Sequence, residues 1–227
     1  MNIKTAIATI AATILAAPSF AAFGDSASEY TFTVMRDGDP VGRHRFVFER
    51  YGDSIEIQEA TEITVSFASI PLYTFEYEGR QLWQDGRAVR IDAITDDNGE
   101  KYDISVRDTD QGYVRTVNGR VDSFDESTAV LAFWNTDTLE HDSFFSAVED
   151  KVLDAKFEFL GTEEIKVGGQ KVETQHYRMV GDEERELWFD PDGHVAKVAF
   201  DRMGSSIEYV RDQLNARAPE ADCTAIC

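Results

Sequence analysis

The chain has 227 residues, 42% of them apolar, with 43 acidic against 22 basic residues and a formal charge of −21. That length and apolar content suit a single folded β-rich domain and exclude a disordered chain. The charge argues against nucleic acid as a partner, because a polyanion is repelled by phosphates over roughly a Debye length, ~8–10 Å at moderate salt. The same acidity serves solubility or the recognition of a cationic partner, and by itself assigns no function.

Met1 to Ala21 reads as a secretory signal: Lys4, an apolar run from Ala6 to Ala17, a helix-breaking Pro18, then Ser19-Phe20-Ala21. The run falls short of the roughly 20 residues of a membrane span, and no later stretch approaches that length. No cysteine sits at the cleavage point to carry a lipid, so a periplasmic or secreted protein without a lipid anchor is expected. The organisation expected is a signal peptide over 1–21, one antiparallel β domain over 22–214 and a tail over 215–227.

From there the dominant signal is alternation. "YTFTV" and "HRFVF" each place apolar residues on one parity, and in the second His44 shares the face of Phe46 and Phe48 while Arg43 and Arg45 point the other way. "SIEIQEATEITVSF" puts Ile55, Ile57, Ile63, Val65 and Phe67 on one face, the pattern of a long half-buried strand. "YTFEYEGRQLW" continues with Phe75, Tyr77 and Trp83. More strands follow in "AVRIDAI", "KYDISV", "GYVRTV", "KFEFL", "KVETQHYRMV", "ELWF", "HVAKVAF" and "SIEYV".

The pairs Asp37-Gly38, Asp85-Gly86, Asn98-Gly99, Asn118-Gly119, Gly168-Gly169 and Asp192-Gly193 punctuate them as tight hairpins. One, "TDDNGEKY", is rich enough in acids to suggest calcium. An EF-hand register on Gly99 puts Ile94 and Ser105 at ligand positions, and one on Gly193 puts Trp188 and Ala199 there, so neither fits. A turn is expected, with a weak surface cation site as the alternative.

Strands joined by short turns, with no strand–helix–strand rhythm, predict an all-β fold: a curved antiparallel meander, either a half-barrel or an up-and-down barrel. The exception is Phe124 to Val152, where Asp137 and Glu140 form a helix-start signature beside the apolar "AVLAFW" and Phe144-Phe145. One or two short helices are expected around 125–152, as a plug for the barrel or a lid over a cavity.

Chemistry-bearing motifs are absent: no nucleophile elbow, H-E-x-x-H, phosphate loop or dinucleotide fingerprint. The four histidines, His44, His141, His176 and His194, lack metal-ligand spacing. No catalytic residue, metal site or cofactor is expected. In the tail "ADCTAIC", Cys223 and Cys227 suit a disulfide in an oxidising compartment or, alternatively, a soft metal such as Cu(I).

The segments "MRDGDPVGRHRF" (Met35 to Phe46), "TDDNGEKY" and "ELWFDPDGHVAKVAFDRMGSSIEYV" (Glu186 to Val210) resemble a bacterial exported family, domain of unknown function 6134. The resemblance implies an antiparallel β fold and an envelope location, and supplies no catalytic residues. The chain departs from the family's pattern at "LAFWN" near Trp134 and in its cysteine tail. Two functions are consistent with these readings. One is non-enzymatic binding of an apolar or amphipathic molecule, such as a lipid chain, against His44, Phe46, Phe48, Phe67, Phe75, Tyr77 and Trp134. The other is a structural or accessory module docking a protein partner through its acidic surface.

Overall fold

A computed structural model describes residues 26–134 and 136–213; the signal segment and both cysteines lie outside the described residues. Fifteen strands form one sheet. Eight follow each other as a meander: β1 (Ser26–Arg36), β2 (Asp39–Tyr51), β3 (Ser54–Phe67), β4 (Ile70–Gln84), β5 (Arg87–Asp97), β6 (Glu100–Thr109), β7 (Gly112–Val117) and β8 (Arg120–Phe124). The remainder are β9 (Thr128–Val130), β10 (Ser143–Phe145), β11 (Val152–Val167), β12 (Gln170–Gly181), β13 (Arg185–Phe189), β14 (Val195–Arg202) and β15 (Ser205–Arg211). The order across the sheet is β8 down to β1, then β15 down to β9. Two meanders are thus joined where β1 pairs with β15, and the sheet curls into a nearly closed barrel whose edge strands are β8 and β9.

Hairpin geometry follows from the residues in the turns. Asp37-Gly38, Asp85-Gly86, Asn98-Gly99, Asn118-Gly119 and Gly168-Gly169 all have positive φ at both positions, as a two-residue turn between right-twisted strands requires. "TDDNGEKY" is such a turn, with the Gly99 N–H donating to Asp96 Oδ1 at 2.7 Å. Met203-Gly204 makes a further pair of this kind, and Ala68-Ser69 adopts positive φ without any glycine. The Asp192-Gly193 segment differs. It is a wider loop in which only Gly193 has positive φ, framed by Asp190, whose Oδ1 accepts from the Asp192 and His194 N–H groups.

Alternation sorts the side chains as the period requires. His44, Phe46 and Phe48 are buried on the inner face, while Arg43 and Arg45 are exposed and Arg45 lies 3.7 Å from Glu29 on the neighbouring strand. Register shifts at Val34/Met35, Val65/Ser66, Leu82/Trp83, Phe159/Gly161 and Trp188/Phe189 are the irregularities that let so long a sheet coil.

The Phe124–Val152 segment, where one or two short helices were expected, holds a single short one among its described residues. It is a 3₁₀ turn, Thr136–Glu140, and the other described residues of the segment form the short strands β9 and β10 and irregular backbone. The irregular backbone around it finds partners in the barrel: Leu131 N–H donates to Phe145 O and Val195 N–H to Trp134 O. The segment also makes β9 and β10 parallel, an exception to the meander, because the chain crosses over between them. Trp134 packs against Trp83 and Phe48 inside the barrel, with ring centroids 5.4 and 5.8 Å away.

The seam between the two sheet edges is closed by a buried cation. Arg115, on β7, donates to the carbonyls of Ser146 and Lys151 and pairs with Asp122 and Asp150, each at 3.2 Å. Its guanidinium lies over Phe124 and Phe145, which stack on each other across the seam at 4.7 Å. Arg120 pairs with the same two aspartates but is 52% exposed. Removing the buried member leaves two carbonyls without their donor and the aspartates with Arg120 alone, so Arg115→Met should lower the free energy of unfolding by about 3 kcal/mol. Arg120→Met should cost less than about 1 kcal/mol. Urea unfolding of the two variants measures the contrast.

Candidate functional site

The inner face of β1 to β5 is built in rows that run across the strands. Phe32, His44, Thr61, Tyr77 and Thr95 are successive cross-strand partners in one row. Tyr30, Phe46, Glu59, Gly79 and Ala93 form the next. Gly79 is required there because the Tyr77 ring folds over it: a Cβ would stand 2.4 Å from the Tyr77 hydroxyl.

These rows and the Phe124–Val152 segment enclose a cavity of about 200 Å³. Its walls are mainly aromatic and aliphatic, with Phe32, Phe46, Phe75 and Tyr77 on the sheet side and Leu131 to Trp134 facing them. The insertion therefore fills part of the barrel and also forms one wall of the space that remains. Arg202 Nη2 on β14 and Asp97 Oδ2 on β5, both in its lining, meet at 2.9 Å and join strands far apart in the sheet order.

The inner end is polar. Thr61 Oγ1 and His44 Nδ1 are 2.7 Å apart. Glu59 Oε2 accepts from Gln81 Nε2 at 2.7 Å and from the Tyr77 hydroxyl at 3.4 Å, and the Trp83 indole N–H holds the Gln81 amide oxygen at 2.8 Å. Glu59 Oε1 and His44 Nε2 face each other at 3.8 Å, beyond hydrogen-bond distance, and neither has another hydrogen-bond partner among the described residues.

Burial sets the protonation states. It pushes the Glu59 carboxyl up to about 7, against the partial relief supplied by Tyr77 and Gln81. It pushes His44 down to about 3, so the imidazole is neutral at any ordinary pH. Tyr77 is held well above its usual range by burial and by Glu59. A neutral His44 beside Glu59 supplies no positive charge to the cavity, whose cations are Arg185 and Arg202.

His44, Phe46, Phe75, Tyr77 and Trp134 line the cavity. Phe48 is buried in the core against Trp134 and does not line it. Phe67 is a correction. It shares the inward parity, but β3 outruns the barrel at that end and leaves the ring 73% exposed. Sequence reasoning missed Glu59, Thr61 and Gln81. The signal was present, since Glu59 and Thr61 lie on the same parity as Ile57 and Ile63.

Elsewhere, Asp190, Asp192 and His194 bring ligand atoms within 4.8 Å of one another. Asp190 is already committed, to the buried Arg211 at 2.7 Å and to two backbone N–H groups, and its acidity stays near 2 despite burial. That cluster frames a loop.

The family model for domain of unknown function 6134 matches residues 32–212, and the chain belongs to that family. No curated protein matches. Among solved structures, the chain is similar to a β-barrel-like protein of domain of unknown function 1849 from Brucella abortus. The likeness has a TM-score of 0.57 at 10% identity and covers 84% of this chain and 97% of the other. At that identity the likeness concerns the fold.

Glu59 also makes stability depend on pH. The folded state keeps this proton up to about 7, whereas an unfolded glutamate loses it near 4.5, so stability from this group is full below 4.5 and falls until about 7. Glu59→Gln removes that loss and should unfold at higher urea than the parent at pH 8, by about 1–3 kcal/mol. At pH 4.5 the two should coincide. A variant less stable than the parent at pH 8 would contradict the buried carboxyl.

Proposed function

We propose that this member of the family binds a small amphipathic molecule inside its barrel and acts by binding rather than by catalysis. The observation that carries this is the cavity itself: a largely aromatic and aliphatic space with a polar cluster in its wall, where His44 Nε2 and Glu59 Oε1 face each other at 3.8 Å without a hydrogen bond between them. Polar atoms that face a cavity without a hydrogen bond are costly unless something in the cavity completes them. The volume, about 200 Å³, lies below the roughly 300–1,000 Å³ of drug-sized sites, which favours a chain of moderate length over a whole phospholipid. The Met1–Ala21 leader supports an exported protein, and in an envelope compartment such ligands are at hand.

Native mass spectrometry of protein purified without detergent, together with uptake of the apolar dye N-phenyl-1-naphthylamine, tests the reading. A bound apolar mass and saturable dye uptake are expected. Phe75→Asp, which sets a charge in the wall, and Ala132→Trp, which fills the space, should each reduce dye affinity at least tenfold with the fold retained. Bare polypeptide and no dye uptake by the parent protein would end the proposal.

A further inference from the structure

The polar end of the cavity specifies the chemistry of the ligand's head. Thr61 Oγ1 has one hydrogen-bond partner among the described residues, His44 Nδ1, so the hydroxyl proton has an acceptor only if it points there. That direction goes with the tautomer protonated at Nε2 alone. Nδ1 accepts, and Nε2 carries a hydrogen that faces the cavity with no acceptor in range. Beside it, Glu59 Oε2 takes the donors from Gln81 and Tyr77, and Oε1 is left open. The cavity thus presents one donor and one acceptor 3.8 Å apart.

A single oxygen at ordinary hydrogen-bond lengths of ~2.8 Å from both would subtend roughly 85° between them, which a hydroxyl can adopt. It would accept from Nε2–H and donate to Oε1. A carboxylate cannot donate, and its charge would face Glu59. An ether cannot donate either, and an ammonium cannot accept from Nε2–H. A charged head here would also have to shed water beside an uncharged His44, while the arginines that line the cavity, Arg185 and Arg202, are already paired with Glu183 and Asp97.

We infer that the ligand is a hydroxyl-bearing apolar molecule, an alcohol, whose oxygen bridges His44 Nε2 and Glu59 Oε1. The inference rests on the binding function proposed above. When Glu59 is protonated the same hydroxyl can accept where it donated before, so the assignment does not depend on one charge state.

The test is isothermal titration of the full mature chain at pH 8 with four probes of similar length: 1-octanol, heptyl methyl ether, octanoate and octylammonium. Octanol should bind at least about tenfold tighter than the other three, the factor expected from one buried donor–acceptor pair. His44→Phe, which keeps an aromatic ring in place, should remove that preference and leave octanoate affinity unchanged. Equal affinities, or octanoate, the ether or octylammonium binding as tightly as octanol, would overturn the hydroxyl assignment while leaving the cavity a binding site. If none of the four binds but the naphthylamine dye does, the head-group assignment alone falls. If the dye fails too, the binding function falls with it. The parent protein decides between these outcomes even if the variant does not fold.

Discussion

The architecture depends on how a sheet with two free edges is closed. Fifteen strands with an aromatic inner face cannot remain open in water, yet β8 and β9 do not pair by backbone hydrogen bonds. Arg115 replaces the missing ladder. Its guanidinium serves two carbonyls from one side of the seam and an aspartate from each, with Phe124 and Phe145 stacked beneath. Planar geometry and several donors in a fixed fork suit arginine to this place, and a lysine could not satisfy the same set. Because the loop that Arg115 grips continues into the cavity wall at Ser146 to Glu149, closing the barrel and shaping the cavity are one event.

Against that closed wall, the His44–Glu59 end is an outlay of stability. Apolar residues of similar size would fill the same positions without desolvating a carboxyl, and a stability-driven sequence would use them. What holds the outlay to a tolerable level is the orderly support around it. Trp83 orients Gln81, Gln81 and Tyr77 serve one carboxyl oxygen, and the absence of a side chain at Gly79 makes room for Tyr77. Groups held this firmly around an unfilled donor and acceptor are preorganised, so the ordering cost is met before any ligand arrives.

Much of the fold was legible in the sequence because hairpins are local. Asn98-Gly99 and its counterparts dictate positive φ from two residues, and strict alternation in "HRFVF" sets which side faces inward. The site was half legible. Parity places His44, Phe46 and Tyr77 on the inner face, but it cannot say how far the barrel extends along a strand, so Phe67 was assigned to an interior that ends before it. Glu59 went unread for a different reason. A glutamate amid apolar neighbours of its own parity looks like a surface residue until strands pair and set Phe46 and Gly79 beside it. The insertion was least legible, because its helix signal is local while the contacts that decide its shape, Trp134 with Trp83 and Val195, come from distant strands.

The join between β1 and β15 carries a consequence for how the molecule assembles. Every other antiparallel neighbour in the first meander can form as its hairpin leaves the ribosome or translocon, whereas Thr33 meets Asp212 across 179 residues of chain. That is more than six doublings of loop length beyond a two-residue hairpin turn, each adding ~0.6 kcal/mol of closure entropy. The last strand therefore has to arrive before the first has a neighbour on both sides. Until it does, β1 exposes an unpaired edge at what will become the middle of the sheet, a template for pairing with another chain. A protein built this way is most exposed to mispairing in the interval before its C-terminal strand is in place.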